Sequence, residues 1–299
     1  REDTTTALAQ IRIPFGGGKK SNRPPLSALE SRMTNFIERD VDIIAQEGTS
    51  SETTTTTETA TVTINGQDYS RIAATVDSGT SDINAALTSA GAGSLIVFDG
   101  AINNGSYIAP LAGQTLIGAG STLQAVSTSG NTASFTLAGT RPTVNTSGGF
   151  NVSNNLVTLQ GMDIIHAGSG GLLYTDGSDT LFNDLTITGG SIRLAGSGTR
   201  LLNSSITNSD FMAIWVQLGA KTEIQNTPLS GGDYGLVLQQ APGVTVRNLA
   251  IDNMSAQAVL IEDSNGLSGD ITVTNTSTPC QVFGSNSGFF TINGTTSCP

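Results

Sequence analysis

A recurrence of about 22 residues, carried by alternating apolar positions from about residue 156 to the C-terminus, constrains this chain more than any other feature. The blocks beginning Leu159-Gln160-Gly161, Phe182-Asn183-Asp184, Leu201-Leu202-Asn203, Ile224-Gln225-Asn226 and Val246-Arg247-Asn248 share one pattern, and each runs on to a further aliphatic position. Their third residues, at 161, 184, 203, 226 and 248, are 23, 19, 23 and 22 positions apart. A period of this size means stacked supersecondary units rather than a single globular core. No unit has a helical 3.6-residue pattern, so the units are strands.

A second strand follows each block: Leu173-Tyr174-Thr175, Ile192-Arg193-Leu194, Ile214-Trp215-Val216, Leu236-Val237-Leu238 and Val259-Leu260-Ile261, with Gln281-Val282-Phe283 expected as the last. Side chains alternate across a strand, so the outer members of each trio share an interior face and the middle members point outward. Gly-, Ser- and Asp-rich stretches between the strands supply turns. Such coils, stacked about 4.8 Å apart, form a right-handed parallel β-helix, an all-β fold. Asn203, Asn226 and Asn248 share a column with Asp184 and Gly161, where turn amides are expected to bond to the backbone and to one another along the stack.

Upstream, Ser81-Asp82-Ile83-Asn84-Ala85-Ala86-Leu87 reads as a short helix with Ser81 as its N-cap. Ser94-Leu95-Ile96-Val97-Phe98, Tyr107-Ile108-Ala109-Pro110 and Gln114-Thr115-Leu116-Ile117-Gly118-Ala119-Gly120 follow it. On these motifs, residues 75–299 resemble the pectin-lyase-like β-helix superfamily, in which a helix covers the open end of the stack. Residues 61–74 are expected to form a lead-in hairpin docked on that helix.

The first fifty residues read differently. Ala9, Ile11, Ile13 and Phe15 alternate with Gln10 and Arg12, the pattern of a transmembrane barrel strand. Pro24-Pro25-Leu26 then leads into a Ser27-x-x-Glu30 capping box. Arg12, Pro14 and Phe15, then Leu29, Arg32, Met33 and Thr34, then Arg39 to Ile43, match the "R-x-P-F" and "L-x-x-R-M-T…R-D-V-D-I" pattern that ends an inverse-autotransporter barrel. Residues 5–46 therefore resemble the intimin/invasin family. The resemblance implies that residues 1–47 are the end of an outer-membrane β-barrel with its through-pore linker, that 48–60 are a Thr-rich linker, and that 61–299 are a passenger delivered to the bacterial surface. Intimin-like passengers of the best-known branch are immunoglobulin-like, so their receptor-binding residues do not carry over.

Residues 61–299 contain six basic and 15 acidic side chains, which argues against nucleic acid or an anionic membrane as partner. No apolar run is long enough for a transmembrane helix. The two cysteines, Cys280 and Cys298, fall in the last 20 residues, and in a secreted stack they are expected to form a disulfide that staples the final strands. Closing that loop contributes roughly 3 kcal/mol in the chain-entropy model.

The superfamily includes polysaccharide lyases and hydrolases, which need converging carboxylates in adjacent coils. Asp163, Asp184, Asp252 and Asp270 fall in different columns, and Asp176 and Glu262 share one but lie four coils apart. Asp210 and Asp233, 23 residues apart, are the one pair that could neighbour each other, beside turn-forming Ser209 and Gly232. His166 has no matched partner, and neither a C-x-x-C nor a calcium nonapeptide is present. No cofactor, metal ligand or catalytic residue is assigned. The outward column Tyr174, Arg193, Trp215, Val237, continuing to Leu260 and Val282, is the candidate binding stripe, because aromatic rings beside an arginine suit protein hot spots and sugars alike. The expectation is an adhesin-like passenger that recognises a glycan or receptor on a host or neighbouring cell. The alternative is a polysaccharide-acting enzyme on the same scaffold.

Overall fold

The computed structural model describes residues 59–168, 171–294 and 296–298. The barrel end and nearly all of the Thr-rich linker therefore lie outside the described residues.

The repeat forms a stack of parallel rungs. Each block pairs with the block one period later: Leu159 with Phe182, Phe182 with Leu201, Leu201 with Ile224, and Ile224 with Val246. The second strands pair in the same way, Ile192 with Ile214 and Ile214 with Leu236. Two sheets result, one of 15 strands and one of seven. Their inner faces meet in one core of aliphatic ladders with nearly every member fully buried, each side chain contributing about 1.5–3 kcal/mol.

The third residue of each block bends the long sheet. Gly161, Asp184, Asn203, Asn226 and Asn248 all have positive φ, between 49° and 69°. One left-handed residue turns the chain through a corner, so that Phe182 and Leu185, three apart, both point inward. Asn and Gly tolerate that conformation, and so the column is written in those residues. The expected amide ladder is present: Asn226 Nδ2 donates to Asn203 Oδ1, and Asn248 Nδ2 to Asn226 Oδ1, both at 2.9 Å. Its upper end is Asn183 rather than Asp184, since Asn203 Nδ2 donates to Asn183 Oδ1.

Three expectations are corrected. The helix spans Ile83–Ala90, and its N-cap is Asp82 rather than Ser81. Asp82 Oδ1 accepts from Ala85 N at 3.0 Å, a phase that turns both Ile83 and Leu87 into the core. Secondly, the lead-in hairpin, Ala60–Ile64 and Gln67–Tyr69, does not dock on the helix. It joins Thr122–Ser127 and Thr132–Thr136 in a four-stranded antiparallel sheet that covers the outside of the first rungs. The reason is visible in Leu95-Ile96-Val97-Phe98: Ile96 and Phe98 enter the main core, leaving Leu95 and Val97 on an outer face that needs burial. Ile72–Val76, directly after the hairpin, is itself the first rung, parallel to Leu95–Phe98.

Thirdly, the last trio of the seven-stranded sheet is Cys280-Gln281-Val282. Leu260 pairs with Gln281 and Ile261 with Val282, so Gln281 and not Val282 continues the outward column. At the far end Thr296–Cys298 runs antiparallel to Gly288–Ile292 and occupies that edge of the long sheet.

Candidate functional site

The antiparallel cover packs on Leu95, Val97 and Ile117 of the long sheet, and the candidate stripe belongs to the seven-stranded one. Register aligns Asn151, Tyr174, Arg193, Trp215, Val237, Leu260 and Gln281 in one column along the stack. Parallel in-register pairing places these side chains one above another.

The middle of the column is a sandwich. The Arg193 guanidinium carbon lies 4.7 Å from the Tyr174 ring centroid and 4.9 Å from that of Trp215, a cation–π contact on each face. Below Trp215, Val237 is only 5% exposed and contributes packing rather than surface. Arg193 thus takes up one face of each ring, and the Tyr174 hydroxyl lies 3.4 Å from Asp176 Oδ2.

A second column runs beside it and was not read from the sequence. Arg193 Nη2 donates to Gln217 Oε1. Gln217 Nε2 donates to Gln239 Oε1, and Gln239 Nε2 to Glu262 Oε2, each at 2.9 Å. The ends fix the sense of the chain, because a cation can only donate and a carboxylate only accept. Glutamines at 217 and 239, one period apart, were the available signal. An edge-to-face pair, Phe211 with Tyr234, was also missed; the ring centroids are 5.1 Å apart at 74°. Their 23-residue separation was its signature.

The remaining candidates are structural. Asp233 accepts from the Ser255 hydroxyl, and its N–H donates to Phe211 O, so register brings it beside Phe211 rather than Asp210. Asp163 and Asp184 both bind Arg141, at 2.7 and 2.9 Å. Burial opposes the Arg141 charge, but hydrogen bonds and attraction from the two carboxylates outweigh it and hold its pKa above the usual value. Asp252 accepts from Thr274 Oγ1 and Asn275 Nδ2, which lowers its pKa. Asp176 and Glu262 remain four rungs apart, with Ala195, Gln217 and Gln239 between them. His166 ends the strand Thr158–His166, and its ring nitrogens have no hydrogen-bond partner among the described residues. Among those residues no group of three His, Cys, Asp or Glu could hold a metal ion.

Comparison with known proteins bears on the fold. The model of the right handed beta helix region matches residues 143–298. No curated protein matches the sequence. Among solved structures, a tailspike protein gp49 from Acinetobacter baumannii bacteriophage Fri1, a capsular polysaccharide depolymerase, is similar at 10% identity and a TM-score of 0.40. The similarity covers 75% of this chain and 61% of the tailspike, so less than two thirds of that protein is spanned. With the family model matching just over half of the chain, and aliphatic ladders running the length of the same segment, this protein belongs to the right-handed β-helix family.

Proposed function

We propose that this chain is a non-catalytic recognition module, a rigid β-helix whose seven-stranded face binds a glycan or receptor on a host or neighbouring cell. The supporting observation is the outward Tyr174–Arg193–Trp215 stack, a half-buried amphipathic ridge with its side chains held together by cation–π contacts. Such a ridge meets a ligand without losing much further rotamer entropy. Its acidic neighbours are dispersed or engaged in hydrogen bonds, which favours binding over cleavage.

The motifs of residues 5–46 support display at the bacterial surface as the passenger of an inverse autotransporter, anchored by its own outer-membrane barrel. A bond between Cys280 and Cys298, whose strands close the far end, fits that oxidising location. In intact cells making the full-length product, added protease should remove the β-helix; its persistence would refute surface display.

Recognition is tested by retention on glycan and host-cell arrays. Trp215→Ala and Arg193→Ala should each weaken retention roughly tenfold or more while preserving the far-UV spectrum. Depolymerisation of a polysaccharide by the wild-type chain, lost in Asp210→Asn or Asp233→Asn, would overturn the reading in favour of an enzyme.

A further inference from the structure

We propose that Phe211 and Tyr234 form a second platform on the same face, and that the ligand is an uncharged glycan long enough to touch both this platform and the Tyr174–Arg193–Trp215 stack. This inference rests on the recognition role above and specifies its ligand.

Phe211 is 49% exposed, high for a large apolar side chain, and Tyr234 meets it edge to face. An edge-to-face contact leaves ring surface open, whereas Tyr174 and Trp215 each give one face to Arg193. An aromatic face stacks well on the C–H face of a pyranose, and hydroxyls at the rim can bond to Asp233. Tyr234 pairs with Met212, three residues along the strand from Trp215 and one rung down. From strand geometry that puts the two platforms roughly 11 Å apart. A single sugar ring cannot bridge them, whereas a short oligosaccharide can.

The charge distribution selects against acidic polymers. The seven strands of this sheet contain one cation, Arg193, and one carboxylate, Glu262. Arg193 has a ring over each face, one Nη committed to Gln217, and an Nε that is buried without a partner. Little of it remains for a ligand carboxylate. The turns flanking the strands add Asp176, Asp210, Asp233 and Asp263. A uronate chain laid on this face would be repelled, while neutral hydroxyls find acceptors.

The experiment is titration of the full chain with defined di- to octasaccharides, neutral and uronate-containing, comparing wild type, Phe211→Ala, Phe211→Tyr and Trp215→Ala. Long neutral chains should bind wild type, and Phe211→Ala should weaken them roughly tenfold. Phe211→Tyr should retain them, and the shortest chains that bind should be indifferent to position 211. Long chains that lose affinity with Trp215→Ala but not with Phe211→Ala would overturn the second platform and leave the recognition role standing. Preferred binding of uronates, strengthened at low salt, would overturn the uncharged ligand. Binding of no oligosaccharide by any form would overturn this inference, and loss of cell-array retention as well would remove the recognition role itself.

Discussion

Replacing Asn226 tests how the stack is held in register. Its φ of 51° lies in the left-handed region, and its side chain makes two ladder bonds, donating to Asn203 and accepting from Asn248. Asn226→Ala loses both bonds, about 0.5 kcal/mol each at a half-buried site. Ala also lacks the short polar side chain that eases the left-handed conformation for Asn, which costs about 1 kcal/mol. The sum is about 2 kcal/mol. Asn226→Gly loses the same bonds and escapes the backbone strain, for about 1 kcal/mol. With a urea m-value of about 2 kcal/mol per molar, the midpoint should fall by about 1 M for Ala and about 0.5 M for Gly. Far-UV circular dichroism and the emission of the single Trp215 both report it. Equal shifts for the two variants would show that left-handed strain is not what writes Asn into the column, and an unshifted Ala variant would refute the ladder as well.

Gly118→Ala should abolish folding, since its Cβ would lie 1.8 Å from Gly161 O and 2.7 Å from Pro142 Cδ, whereas Gly105→Ala, with nothing within 4 Å, should melt like wild type. Deleting residues before 59 should leave a cooperative β-helix, but deletion through Ser70 removes Val62, Ile64 and Tyr69, worth about 1.5–3 kcal/mol each, and uncovers Leu95, Val97 and Ile117; strong binding of a hydrophobic dye should report it. The Tyr69 phenol donates to Gly113 O and shares a 2.8 Å bond with Thr115, and burial, partly offset by the Thr115 bond, raises its pKa above 10.0. The neutral form is therefore favoured by folding, so stability should be intact below pH 10.0 and fall as pH rises beyond it. Urea midpoints across that range should drop less steeply in Tyr69→Phe; an identical alkaline loss would refute the assignment.

The repeat made the parallel coils, the inward ladders and the Asn column legible, because a strand period of two and a coil period near 22 both leave direct marks on sequence. Register at the frayed last coil was not: Cys280-Gln281-Val282 and Gln281-Val282-Phe283 both alternate, and only pairing with Leu260 and Ile261 chooses between them. The hairpin's docking site was readable in principle, since four consecutive apolar residues at Leu95–Phe98 imply burial on both faces. The stripe Tyr174–Arg193–Trp215 was found by alternation alone, but that Arg193 lies against one face of each ring follows from rotamers that no spacing encodes. The Gln217–Gln239–Glu262 chain escaped notice for a simpler reason: polar residues that end a strand normally face water.

That chain has an evolutionary consequence. A coiled stack can usually lengthen or shorten by whole coils, because each unit presents the same edges to its neighbours. Between residues 193 and 262 this freedom is lost. A duplicated coil carrying an aliphatic residue in place of Gln217 or Gln239 would sever the line from cation to anion and leave a half-buried polar end on each side of the break. Relatives of differing length should therefore vary their coil number outside this stretch and keep it constant within.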